Sequence, residues 1–301
     1  MYLHQVLEAK LLGPGDLTLS IGSVFIENDD AQAAAAAGHR SAEAVKQDCE
    51  LAAFSRLAPQ VKRAFPQLRL CWAIDALYAC GRFFQACRDY RWTYVVTFKP
   101  KDLPTAWGEF ERLLPLCPHN VLERTTAEGV HRVYRWVRDL SYVDSEGRTW
   151  RFTGIRLEET VAGETTTFAW LTPLHVSAKT VEEVVWKGGR PRWKIENQGF
   201  NRQKNSGLNL RHLYSTDPEK PKAYYYLLQI AFILLQLLEQ GSLLRRLAAT
   251  WGQTPWQLLG GLMNVAWLLL ESLRRDAWAA SWFDGQAARG LHVSFQPFDS
   301  S

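Results

Sequence analysis

The chain has 301 residues, 47% of them hydrophobic and 22% charged, with a formal net charge of +4. That length can bury a large core without help from metals or disulfides, and the composition is that of an ordinary soluble globular protein, which excludes disordered and fibrous classes. The charge is too mild to mark a polyanion binder by its sum, and five cysteines (Cys49, Cys71, Cys80, Cys87, Cys117) with no CxxC pair and an odd count argue against a zinc knuckle or a secreted disulfide framework.

In chain order, Leu3 to Leu12 and Leu17 to Ile26 are strand-like runs separated by Gly13-Pro14-Gly15-Asp16, which predicts a hairpin. The alanine-rich stretch Ala31 to Ala37 carries little information. Between Ala44 and Phe65, Val45, Cys49, Phe54, Leu57, Val61 and Phe65 recur at mostly three- and four-residue spacing, so an amphipathic helix is expected, stopped by Pro66. Leu68 to Ile74 then predicts an apolar strand running into Asp75, followed by a short helix around Phe83 to Cys87 and the strand Thr93 to Phe98. Strand, helix and strand with short links form a βαβ unit, which implies parallel pairing. From about Asn120 to Pro173 the period changes to two, with Ser145-Glu146-Gly147 and Val161-Ala162-Gly163-Glu164 as turns, so a strand-rich insertion is expected. Helical patterns return from Arg192, with apolar faces in Ala223 to Leu238 and Trp256 to Leu273, and the tail from Asp276 is read as irregular. The run Ala223 to Leu238 holds Gln229 and Gln236 and is shorter than the ~20 residues of a membrane span, so a buried helix is expected and no membrane partner. The N-terminus has no basic-then-apolar signal pattern, and a reducing cytoplasm is the compartment expected.

Two places can carry chemistry. Asp75 closes a buried-looking strand, where open α/β sheets put their ligand crevices, although a turn former or helix cap is the commoner role for such an aspartate. From Lys187 to Arg211, seven basic residues (Lys187, Arg190, Arg192, Lys194, Arg202, Lys204, Arg211) surround one acid, Glu196. On a helix Arg192 and Glu196 share a face at i and i+4, so one reading is an exposed ion pair worth about 0.3–0.5 kcal/mol. The functional reading makes Asp75 and Glu196 ligands of a divalent cation, which prefers carboxylate oxygen. The surrounding cations would then hold a nucleic-acid backbone without reading its sequence. Trp193 or Phe200 would stack on an unpaired base, with packing as the alternative role.

The runs Ala73 to Ala79 (AIDALYA), Trp92 to Lys99 (WTYVVTFK), Trp193 to Asn205 (WKIENQGFNRQKN) and Leu210 to Tyr214 (LRHLY), with Phe25 to Asn28 (FIEN) and Lys46 to Glu50 (KQDCE), resemble bacterial insertion-sequence transposases of the DDE superfamily. The resemblance spans roughly residues 2 to 240. It implies an α/β fold with a ribonuclease-H-like mixed sheet flanked by helices, interrupted by a β-rich insertion and followed by a C-terminal helical region. The implied segments are 1–104 for the first part of the core, 105–185 for the insertion, 186–240 for the late core with Glu196, and 241–301 for a C-terminal helical region and tail. The implied activity is metal-dependent cleavage and strand transfer of DNA, with Asp75 and Glu196 holding Mg²⁺ or Mn²⁺, and Arg190, Arg192, Lys194, Arg202 and Lys204 on DNA at transposon ends and target. A homodimer on DNA and a bacterial, nucleoid-associated cytoplasmic location go with it.

Three positions depart from the family pattern. Gly189 stands where a tyrosine is usual, and Lys204 falls eight positions after the glutamate where the family's lysine falls seven after. No strand ending in a first catalytic aspartate precedes the hairpin. Asp16 sits in a turn, and Asp29 and Asp30 follow the wrong strand. The chain therefore reads as lacking the family's first strand. A DNA-binding remnant that does not cleave is the alternative, and an unrelated metal-dependent nuclease a third.

Overall fold

The computed structural model describes residues 5–26, 42–212, 215, 217 and 219–275, with side chains of the first long helix described from Glu50 onward. The alanine-rich stretch, Asp29, Asp30, Leu213, Tyr214 and the tail from Asp276 lie outside the described residues. The chain divides into two compact units, Met1–Ile233 and Leu234–Ser301.

In the first unit the expected hairpin forms: β1 (Gln5–Leu12) and β2 (Thr18–Ile26) pair antiparallel as a two-stranded sheet, with a register shift between Ala9 and Lys10. Helix α1 (Ala42–Ala64) lies over it. Leu57 and Val61 approach so near that a Cβ on Gly22 would stand 2.9 Å from Leu57 Cδ1.

The main sheet has six strands: β3 (Cys71–Ile74), β4 (Thr93–Thr97), β5 (Val121–Thr125), β6 (His131–Val143), β7 (Thr149–Val161) and β8 (Glu164–Thr172). Their order across the sheet is β3-β4-β8-β7-β6-β5. β3 and β4 pair parallel from Cys71 and Thr93 to Ile74 and Val96, joined by helix α2 (Gly81–Tyr90), as the strand-helix-strand spacing required. β4 then pairs antiparallel with β8 at Val96 and Leu171. The strand-rich segment is thus continuous with the core strands in one mixed sheet, and the first unit runs unbroken through the expected boundaries at 104 and 185.

Alternation along β4 explains why this sheet is covered on both faces. Tyr94 and Val96 point into one core with Phe54, Phe83, Phe84 and Phe110, under α1, α2 and α3 (Pro104–Leu113). Val95 points the other way, with Tyr134, Trp136, Ile155 and Trp170, under the helical segment 181–205. Much of the aromatic content is spent here. Phe84 packs on Tyr94, Trp150 and Phe152, Trp72 lies edge-on to Phe54 and Trp92, and each such pair adds about 0.5–1.5 kcal/mol beyond area burial.

The β6–β7 turn is organised by Asp144. Its Oδ1 accepts from the amides of Glu146 (3.0 Å) and Arg148 (2.9 Å), and its Oδ2 from Arg148 Nε and Trp150 Nε1, both at 2.9 Å. Burial pushes the carboxyl up, but these donors outweigh it and hold the pKa at about 2, below the usual 3.8. A depressed folded-state value means that the stabilisation is complete above about 3.8 and is lost as pH falls toward about 2. Wild type should therefore be more stable than Asp144→Asn at neutral pH, and the gap should close across that window when unfolding is followed by tryptophan fluorescence. A gap independent of pH would refute this role.

Helix α4 (Glu219–Gln240) begins in the first unit. The expected burial holds for one face of it: Tyr225, Leu228, Gln229 and Phe232 are buried, while Tyr226, Leu227 and Ile230 are exposed. The apolar run is also longer than expected, because α5 (Ser242–Thr250) follows after Gly241 alone. The stretch Lys220–Thr250 is long and apolar enough to cross a membrane by length and composition, a test that core helices of soluble proteins also pass. Gln229 is buried against Gln203, which is core-helix behaviour. The second unit continues with α6 (Pro255–Leu259), capped by the Thr254 side chain on the Gln257 amide, and α7 (Leu262–Arg275).

Candidate functional site

Asp75 follows β3 directly and caps a short 3-10 turn (Ala76–Tyr78), accepting a hydrogen bond of 2.8 Å from the Ala76 amide. The bland reading of this aspartate, a helix cap, is therefore satisfied. Its carboxylate is still 45% exposed, and Lys99 Nζ lies 3.6 Å from Oδ1. Burial raises the acid's pKa, but the Ala76 amide, then the charges of Arg192 and Lys99, more than offset it and hold Asp75 below the ordinary carboxylate range.

Glu196 sits in a helical segment of mixed character. Val181–Glu183 is α-helical, Val184–Gly189 is π-helical, Arg192–Lys194 is α-helical, Ile195–Asn201 is again π-helical, and Arg202–Asn205 is α-helical. The first π stretch lies tight on the sheet. A Cβ on Gly188 would stand 2.6 Å from Val95 Cγ2, and one on Gly189 2.6 Å from the Trp170 ring. That contact leaves no room for a large side chain at Gly189. The second π stretch carries Glu196 and ends before Lys204. The side chains of Glu196 and Lys204 line the same cavity.

That cavity, about 1410 Å³, belongs wholly to the first unit. Asp75, Arg192 and Glu196 all line it, together with Lys187, Lys204 and Arg211. Arg192 links the two acids: Nη1 donates to Glu196 Oε1 at 2.7 Å, while its charge helps to keep Asp75 ionised. The Arg192–Glu196 pair is 31% and 63% exposed, so as an ion pair alone it contributes at most about 0.5 kcal/mol. Its position beside Asp75, rather than its strength, makes it informative.

Other basic residues of the segment are used elsewhere. Arg190 turns to the sheet, donating to Glu159 at 3.4 Å and lying 4.1 Å over the Phe168 ring, away from the cavity lining. Lys194 reaches the hairpin turn, donating to the Gly15 carbonyl at 2.6 Å. Arg202 lies over the Phe232 ring. Trp193 is exposed, and Phe200 packs under Lys10 and Lys204, 5.4 and 5.9 Å from their ammonium groups. Sequence reading missed Lys99, which follows β4 and reaches Asp75 only because β3 and β4 pair in parallel. Glu50 on α1 and His212 also line the cavity, with no local signal that marks them.

Among the described residues, no three His, Cys, Asp or Glu side chains gather as a metal-holding group. Two carboxylates on one cavity remain compatible with Mg²⁺, which is commonly held by one or two carboxylates plus substrate phosphates. No protein-family model matches the chain, and no significant match is found among curated proteins.

Proposed function

We propose that this chain is a DNA transposase of the DDE type with a ribonuclease-H-like core, in which Asp75 and Glu196 together hold Mg²⁺ or Mn²⁺ against a DNA phosphate. The observation that carries this reading is the lining of one cavity by both acids, with Arg192 interacting with each. A mixed sheet with helices on both faces is in keeping with such a core. The bound cation would polarise the phosphodiester and lower the pKa of an attacking water. The chain's own part is to keep Asp75 ionised at neutral pH and to neutralise the DNA backbone through Lys187, Arg192, Lys204 and Arg211. Transposon ends and target DNA are the partners, a homodimer on paired ends is the working assembly, and the bacterial cytoplasm at the nucleoid is the location.

A second reading, a DNA-binding protein that does not cleave, is favoured by one observation, the lack of a third metal-holding side chain among the described residues. One assay separates the two. The chain is incubated with a duplex carrying the DNA that flanks its own gene, with Mg²⁺ and with a chelator. Transposase function requires nicking that the chelator removes. Binding that weakens as salt rises, without nicking, selects the second reading, and absence of both ends the DNA assignment.

A further inference from the structure

Asp75 already has a cation beside it. Lys99 Nζ lies 3.6 Å from Oδ1, the same oxygen that accepts from the Ala76 amide at 2.8 Å. The backbone that presents Lys99 is fixed from three directions. Thr97 Oγ1 donates to the carbonyl of Ile74, the residue before Asp75, at 3.3 Å. The Phe98 amide donates to the Ala169 carbonyl of β8 at 2.8 Å, and the Asp102 amide to the Lys99 carbonyl at 3.3 Å. The Lys99 side chain itself is 48% exposed, so the base is held while the ammonium has solvent to turn into.

The two cations acting on Asp75 are not equivalent. Arg192 is tied to the other acid, its Nη1 donating to Glu196 Oε1 at 2.7 Å. Lys99 carries a compact charge on a flexible four-carbon stem. A divalent ion arriving at Asp75 brings a second and larger positive charge next to that ammonium, and like charges so close oppose each other. A phosphate changes the balance. Lysine binds phosphate as a point charge, and Mg²⁺ is commonly completed by substrate phosphates. One incoming phosphate therefore offers Lys99 a new partner and the ion a further ligand.

We propose that Lys99 is a positioning residue that couples metal binding to DNA binding. Without DNA its ammonium neutralises Asp75 and disfavours a divalent ion there, and a DNA phosphate draws it off the carboxylate so that the ion can enter. The coupling rests on the reading of Asp75 as a ligand of Mg²⁺ or Mn²⁺. Linkage makes it reciprocal: DNA raises the affinity for the ion by the same factor as the ion raises the affinity for DNA.

The test titrates the full chain with Mn²⁺ at neutral pH and reads free Mn²⁺ by electron paramagnetic resonance. Each titration is run with and without a short duplex carrying the DNA that flanks the gene, and the uptake of the duplex alone is subtracted. Without DNA, Lys99→Met should bind Mn²⁺ at least ~5-fold more tightly than wild type, the scale of a half-exposed charge pair. Lys99→Gln should match Lys99→Met, and Lys99→Arg should match wild type. Duplex should tighten Mn²⁺ binding at least ~5-fold in wild type, and by a smaller factor in Lys99→Met. Lys99→Met and Lys99→Gln no tighter than wild type without DNA, or an equal effect of duplex in wild type and Lys99→Met, would overturn the coupling. Asp75→Asn separates this from the metal assignment. Mn²⁺ binding that Asp75→Asn weakens but Lys99→Met leaves unchanged overturns the coupling alone, whereas binding that Asp75→Asn leaves intact overturns the metal role of Asp75 and the coupling with it.

Discussion

Asp75→Asn and Glu196→Gln should each lower Mg²⁺-dependent nicking by at least ~100-fold, about 2.7 kcal/mol of transition-state stabilisation, while DNA binding persists. Both changes keep side-chain volume. In Asp75→Asn the carboxamide oxygen can still accept from the Ala76 amide, so the cap at the start of the 3-10 turn survives and folding is spared. What disappears is one unit of negative charge beside Arg192, leaving the cavity more cationic and DNA affinity equal or higher. Arg192→Gln acts in the opposite sense, removing a phosphate-neutralising group and one of the charges that hold Asp75 down. The acid limb of the nicking profile should then move to higher pH, because Asp75 becomes easier to protonate. Nicking unaltered in both carboxamide variants would remove the two acids from the mechanism.

Lys10→Ala is expected to cost about 3–5 kcal/mol of stability, the range for removing one member of a buried ion pair. Glu8 and Lys10 meet at 2.8 Å with neither side chain reachable by solvent. Tyr225 donates its hydroxyl to Glu8, and Lys10 also reaches Gln229 Oε1 at 3.3 Å. Burial pushes the Lys10 amine down, with Glu8 partly restoring it. Truncation strands the Glu8 carboxylate in an apolar interior and withdraws the Lys10 stem from beneath Gly199, where a Cβ would stand 3.0 Å from Lys10 Cε. Gly199 lies in the π stretch that carries Glu196, so hydrogen exchange there should rise together with the loss seen in urea unfolding. Glu8→Gln with Lys10→Met removes both charges and should recover most of the loss, since apolar replacements of whole buried pairs are often neutral or stabilising. A single-variant cost below ~1 kcal/mol would mean that the pair is solvated in the folded chain.

Much of the fold was legible because the period of apolar residues and the turn residues agreed. The hairpin around Gly15, whose φ of 61° suits glycine, the helix expected at 44–65 and found at Ala42–Ala64, and the parallel β3–β4 unit all follow from local pattern. The strand expected from Leu68 forms only at Cys71–Ile74, because just those residues meet a partner in β4. No local signal tells that β8 pairs with β4, since antiparallel strands far apart in sequence find each other through the core they jointly cover.

The sequence by itself determined which residues are apolar in alternation or in helical spacing, and hence the strands, the helices and the basic segment holding one acid. Tertiary structure decided what those residues do. It turned Arg190 to the sheet and Lys194 to the hairpin, brought Lys99 to Asp75, and set Arg192 between two acids. The physical reason is that periodicity is a property of neighbours along the chain, whereas charge pairing and the matching of strand edges depend on distances that only the packed core fixes.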